Sequence, residues 1–244
     1  VHIRNRTLNL LLFSLLILLF ADIAIASPLT PAEKKLVQQI NSNLPQAIQL
    51  LEKSVNINSG TMNFEGVKSV GGLFQKEFDG LGFTSQWIDG SEFNRAGHLV
   101  AEYGVAKNNK TKLLMIGHLD TVFAKGDSFK HFERLQNNRI KGPGITDMKG
   151  GDVIIIEALR ALKQQGMLDK VQIKVVMTGD EEKSGKPLEK SKKALTDAAN
   201  WADIALGFED GDGDIKTAVT SRRGASNWTL KITGKAAHSS QIFS

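Results

Sequence analysis

Four short stretches of this sequence carry residues that could do chemistry on a bound cation. His118 and Asp120 lie in GHLDTVF, Asp147 in GPGITDMKGG, Glu181 and Glu182 in TGDEEKSG, and Glu209 with Asp210 in GFED. One histidine with several carboxylates is a hard-to-borderline donor set that suits zinc, with manganese or cobalt as alternatives. His118 and Asp120 are two residues apart, so in extended backbone both side chains leave on one face. A carboxylate so placed can hold the second imidazole nitrogen and fix its tautomer. Glu181 and Glu182 are adjacent and cannot both face one way; one can ligate a cation while the other serves as a base towards water. Asp147 follows a turn built of Gly142, Pro143 and Gly144, where it could bridge two ions roughly 3.5–4 Å apart.

Each stretch alone also has a plainer reading. Asp120 could be a turn former, the glycines around Asp147 loop and cap chemistry, and DEEK a solvated acidic turn. EDGDGD lacks the full spacing of a calcium-binding loop. The metal reading rests on their joint occurrence at the ends of predicted strands.

The elements that must position these residues are legible from periodicity. Thr30 followed by Pro31 marks a helix start, and Leu36, Ile40, Leu44, Ile48 and Leu51 recur at helical spacing, with Pro45 a candidate break between two helices. A second helix is expected over 64–81, with Val67, Val70, Phe74 and Phe78 on one face. Strand-like runs follow at 98–103, 111–117, 171–178 and 202–208, and a helix over 148–165 lies between the second and third. Strands alternating with helices predict a layered α/β domain. In open α/β sheets, ligands bind beyond the carboxyl ends of the strands, where the acidic and histidine residues fall. Farther on, Trp228, Leu230 and Ile232 alternate with polar residues, as in a strand with one buried face that opens a second domain.

Composition sets the wider frame. The chain has 244 residues, 41% of them hydrophobic and 23% charged, which is ordinary for a globular protein. Its first residues place His2, Arg4 and Arg6 before an apolar run ending near Ala21, with Ala24 and Ala26 forming a small-x-small site, so residues 1–26 are expected to be a cleaved export signal and the mature protein to be periplasmic or secreted. There is no cysteine, so no disulfide supports the fold. A formal charge of +5, dispersed along the chain, gives no basic stripe of the kind nucleic acid requires, and no nucleic-acid partner is expected.

In order and spacing, GHLDTVF, GPGITDMKGG, TGDEEKSG, GFED and RRGASNWTLKITGKAAHSS resemble the M20 metallopeptidases, especially their glutamate carboxypeptidase-like members. The resemblance implies a zinc-peptidase α/β domain with a mostly parallel sheet, over residues 27–216, and the first part of an inserted α+β lid and dimerisation domain over 217–244. It implies two zinc ions, with His118 on one, Asp147 bridging both, Glu182 on the other and Glu209 completing the His118 side. It further implies that Asp120 orients His118, that Glu181 is the general base and acid, and that His238 reaches a partner's site in a homodimer. The implied substrate is a peptide or N-acyl amino acid.

The family's last ligand histidine and its substrate-carboxylate arginine would fall beyond Ser244. The sequence therefore reads as the N-terminal part of such an enzyme, with exposed sheet edges where later elements would pack. An inactive remnant or binding module that keeps a partial metal site is the alternative, and an exported solute-binding protein a third, which offers no reason for Glu181 beside Glu182.

Overall fold

The computed structural model describes residues 28–104 and 110–211, together with 213, 217–221, 224, 226, 228–231, 233 and 234. Helix α1 spans Pro31–Val55 and starts in a capping box: the Thr30 side chain accepts from the Glu33 amide while the Glu33 carboxylate accepts from the Thr30 amide. Pro45 lies inside this helix and does not divide it. The ring removes one intrahelical hydrogen bond, but Asn41, four residues back, is exposed, so water can satisfy its carbonyl. Helix α2 covers Phe64–Gly80 and buries Val67, Val70, Phe74 and Phe78 along one face.

Among the described residues the sheet has five strands: β1 (Thr84–Asp89), β2 (Gly97–Tyr103), β3 (Lys112–His118), β6 (Gln172–Thr178) and β7 (Ile204–Gly207). Their order is β1-β2-β6-β3-β7. Antiparallel pairing of β2 with both β1 and β6, and parallel pairing of β3 with β6 and β7, leaves only β2 running against the others. A two-stranded ribbon, β4 (Glu133–Arg134) with β5 (Ile140–Lys141), stands apart from this sheet.

Alternation along the strands sorts the core into two layers. Ile173, Val175 and Met177 of β6 and Leu99 of β2 pack on one face with Phe74, Phe78 and the α3 residues Ile155, Ile156 and Leu159, α3 being Gly150–Gln164. Val176 of β6, Val100 of β2 and Leu114 of β3 face the other way, against Ala198 and Leu195 of α5 (Lys193–Trp201), which follows the short α4 (Leu188–Ser191). Both faces of the central strands are covered, which explains why their sequences read as continuous apolar runs. Strand β1 escapes such a reading because it is an edge strand with only Trp87 and Ile88 as large apolar residues.

At the far edge, among the described residues, β7 pairs only with β3, and both Ile204 and Leu206 are exposed. The strand expected around Trp228 is not formed: among the described residues 228–231 have no regular structure, with Trp228 83% and Leu230 70% exposed. A single amphipathic strand needs a partner and an apolar surface to hold it, and no described residue supplies either. Among the described residues no helix is long and apolar enough to cross a membrane.

Candidate metal centre

Strand register decides where the chemistry falls. His118, the last residue of β3, pairs with Thr178, the last of β6, while Ile116 pairs with Gly207 at the end of β7. The segments leaving these three strands carry Asp120, then Glu181 and Glu182, then Glu209. Asp147 arrives from the opposite side, in the tight turn before α3. Gly144 there has φ +70°, a left-handed conformation that side chains disfavour, and a Cβ on it would overlap the Thr121 side chain. Gly151, in the first turn of α3, lets the Phe208 carbonyl approach the helix closely; any Cβ would collide with it. The start of α3 and the end of β7 are thereby brought together, and Asp147 and Glu209 with them.

His118, Asp147 and Glu209 each offer a donor atom, and these atoms lie within 4.8 Å of one another. The imidazole is buried, with Nδ1 2.9 Å from the Asp120 main-chain oxygen. A carbonyl only accepts, so Nδ1 carries hydrogen and Nε2 is left with its lone pair when the ring is neutral. Nε2 faces Asp147 Oδ1 at 2.9 Å and Glu209 Oε1 at 3.5 Å. A lone pair and two carboxylates pointing at one another call for a cation between them. The pKa of His118 records the same demand. Burial pulls it down, but hydrogen bonding to Glu209 and the charges of Asp120, Glu209 and Asp152 outweigh that and push it up to about 10.

Asp120 acts differently from the reading of its spacing. Its main chain, not its carboxylate, holds the His118 ring; the nearer carboxylate oxygen is 3.6 Å from Nδ1. The buried carboxylate instead accepts from the amides of Glu181 (3.0 Å) and Glu182 (3.2 Å) and from the Thr61 hydroxyl (2.7 Å). It thus fastens the segment that carries both glutamates to the end of β3. Glu182 stands outside the close triplet, yet its Oε1 is buried with no hydrogen-bond partner, and burial followed by the charge of Asp147 pushes its pKa up to about 7. Such an orphaned carboxylate oxygen fits a second cation position beside Asp147. The Glu181 carboxyl is also raised, first by burial and then by Glu209, Asp120 and Asp147 acting against His118. His238 lies outside the described residues.

Several supporting residues gave no motif to read. Asp180 accepts from the Gly185 amide (2.7 Å), the Ser191 hydroxyl (2.5 Å) and Lys192 Nζ (3.1 Å), clamping the glutamate segment from the side away from Asp120. Lys149 is buried with Nζ donating to the carbonyls of Ser54 and Ile57, which ties the Asp147 turn to the end of α1. Asp152 is fully buried beneath Gly117 with neither carboxylate oxygen hydrogen-bonded; an acid directly before the apolar run VIII was the available signal.

His98 is likewise buried, stacked on Phe93, with Nε2 2.8 Å from the Ser191 carbonyl and Nδ1 accepting from the Gly179 amide at 3.1 Å. Burial lowers its pKa below the ordinary 6.5, against the opposing pull of Asp180. Above pH 6.5 both folded and unfolded chains hold this ring neutral. Below it the unfolded chain takes up the proton first, so stability should fall with acidification, by up to about 1.4 kcal/mol per pH unit, until the folded ring also titrates. Chemical denaturation between pH 7.5 and 5 should show this slope in the wild type and a flatter one in His98→Gln; parallel slopes would refute the assignment.

A mixed α/β layer with histidine and carboxylates gathered at its strand ends has the build of a metallopeptidase domain. Residues 114–224 match the model of Peptidase family M20/M25/M40, the family that the sequence motifs resemble. It is 34% identical over 206 residues to carboxypeptidase G2 of Pseudomonas sp. (strain RS-16), which covers 83% of this chain and 48% of that protein. It is 29% identical over 208 residues to a probable succinyl-diaminopimelate desuccinylase of Staphylococcus aureus (strain Mu50), covering 81% and 47%. The chain therefore spans about half the length of the curated relatives it matches. Among solved structures, human carnosine dipeptidase 1 aligns with a TM-score of 0.64 at 21% identity, over 76% of this chain and 42% of that one. The di-peptidase Dug1p of Saccharomyces cerevisiae aligns at 0.60 and 19%, over 71% and 40%. These likenesses show the fold.

Proposed function

We propose that the protein containing this chain is an exported, zinc-dependent hydrolase of peptide or N-acyl amino acid amide bonds, of carboxypeptidase type, acting as a homodimer. The observation that carries the reading is His118 Nε2 turned towards Asp147 and Glu209, with its tautomer set by the Asp120 carbonyl. His118 and Glu209 would hold one zinc ion, Glu182 would contribute to a second, and Asp147 would lie between them. Bound there, zinc supplies Lewis acidity towards the scissile carbonyl and lowers the pKa of water to about 7.

The chain's own residues supply the proton path. Glu181 removes a proton from the attacking water as the oxygen bonds to the carbonyl carbon, then delivers it to the amide nitrogen as the carbon–nitrogen bond breaks. Its raised pKa suits both tasks, since a carboxyl closer to neutrality both accepts and releases a proton readily. Asp120 and Asp180 hold the main chain of that segment so that Glu181 does not have to be ordered during reaction. His238 would come from the partner subunit to stabilise the developing oxyanion. Export is supported by the basic-then-apolar residues 1–26 and their small-x-small site.

Metal analysis tests the centre directly. The full-length protein, purified without chelator and dialysed against metal-free buffer, should retain two zinc ions per chain and lose thermal stability on removal by a strong chelator. Retention of one ion or none, with no stability change, would sink the dinuclear reading.

A further inference from the structure

Beside the metal centre runs a groove of about 650 Å³ whose lining includes Thr121 and Glu182, and so continues directly from the candidate site. Three of its lining residues are large, apolar and solvent-facing: Met62 is 57% exposed, Phe64 36% and Val122 68%. They come from two separate segments, the turn leading into α2 and the stretch after β3. The parallel bridge between Gly60 and Thr121 joins these segments. Gly60 is obligatory at that junction, since a Cβ there would strike the Phe123 carbonyl. Asn58 adds to it, its side-chain amide donating to the carbonyls of Phe123 and Ala124 at 3.1 Å. The groove is therefore a rigid, built surface, with a hydrogen-bonded floor under exposed apolar walls.

The charges around it do not favour an ion. Glu65 and Lys125 face each other at 4.0 Å, and the remaining pair is Glu182, which the centre would use, and Lys183. With Glu182 given to the cations, Glu65 and Lys125 offset each other, and the charge left over is that of Lys183, whose exposure to solvent makes it a weak pull on an acidic side chain. Apolar contact is what this lining offers a ligand, and single exposed hydrophobic residues become informative when three converge on one concavity next to a reaction centre.

We infer that this groove is a specificity subsite for an uncharged apolar side chain, of leucine or phenylalanine size, on the substrate residue lying at the Glu182 side of the scissile amide. The inference rests on the proposed hydrolase reading and adds a substrate class to it: the residue seated here is apolar, not acidic. Replacing water along Met62, Phe64 and Val122 with a leucine-sized side chain should raise affinity about tenfold or more over glycine.

Binding of non-reactive acids tests this without turnover. N-methanesulfonyl-L-leucine, N-methanesulfonylglycine and N-methanesulfonyl-L-glutamate, in which a sulfonamide that the reaction does not cleave replaces the amide, would be titrated calorimetrically into the zinc-loaded full-length protein. The leucine derivative should bind about tenfold or more tightly than the other two. Val122→Asp should erase that preference, and because Val122 is mostly exposed the change sacrifices no core packing; Met62→Glu provides a second, independent wall. Equal binding of all three acids, tighter binding of the glutamate derivative, or a leucine preference that survives both substitutions overturns the inference. Amide hydrolysis and zinc content, measured on the same preparation, report on the hydrolase reading separately. An active zinc enzyme with no leucine preference loses only the groove, while a leucine preference without zinc or turnover loses only the hydrolase.

Discussion

Glu181→Gln should lower kcat of the full-length protein by about two to four orders of magnitude while leaving zinc content near that of the wild type. Glutamine keeps the shape and the main-chain amide that donates to Asp120 Oδ1, so the segment stays fastened. What it loses is the capacity to accept a proton from water and return it to the departing nitrogen. KM should change little, because the carboxylate acts on the reacting atoms rather than on the body of the substrate. Steady-state kinetics beside metal analysis separate the outcomes. A variant retaining a tenth or more of the wild-type kcat would remove Glu181 from the proton path, and one that lost zinc would mean that it ligates instead.

Asp120→Ala should be the most damaging single substitution for stability at the centre. Three donors converge on this carboxylate: the Glu181 and Glu182 amides and the Thr61 hydroxyl. Removing it strands donors in a buried place, at about 1–3 kcal/mol each, so a loss of about 3–5 kcal/mol is expected by urea denaturation. The release of both glutamates should also weaken zinc binding by at least tenfold. Asp120→Asn keeps one acceptor oxygen and should fall between the two. An Asp120→Ala protein within about 1 kcal/mol of the wild type, with zinc retained, would show that the three hydrogen bonds do not secure the site.

The centre was more legible than its supports, for a physical reason. Ligand chemistry demands particular residue types: an imidazole and carboxylates cannot be replaced by generic apolar side chains, so His118, Asp147 and Glu209 stand out in a sequence and the structure brings them together. The central strands were legible because burial on both faces makes them unbroken apolar runs. Supports can be built from almost any polar group. Asp120 shows the difference within one residue: its spacing from His118 suggested that its carboxylate would hold the ring, whereas the backbone carbonyl does so and the carboxylate accepts from the Glu181 and Glu182 amides. No period or motif distinguishes these arrangements, which depend on how the segments after β3 and β6 pass each other. Pro45 misled for the opposite reason, since a local rule was overridden by the packing of a long helix whose exposed side tolerates a missing bond. The strand around Trp228 shows the reverse limit, a sound local pattern without a neighbour to complete it.

Gly151 sets how far apart two of the ligands stand. The Phe208 carbonyl rests where any Cβ on Gly151 would sit, so the first turn of α3 and the end of β7 meet with no side chain between them. Asp147 precedes Gly151 by four residues and Glu209 follows Phe208 directly. Links this short turn a main-chain separation into a separation between donor atoms. The span of the cage, and with it the radius of ion that fits, would be governed by a residue that touches no ion.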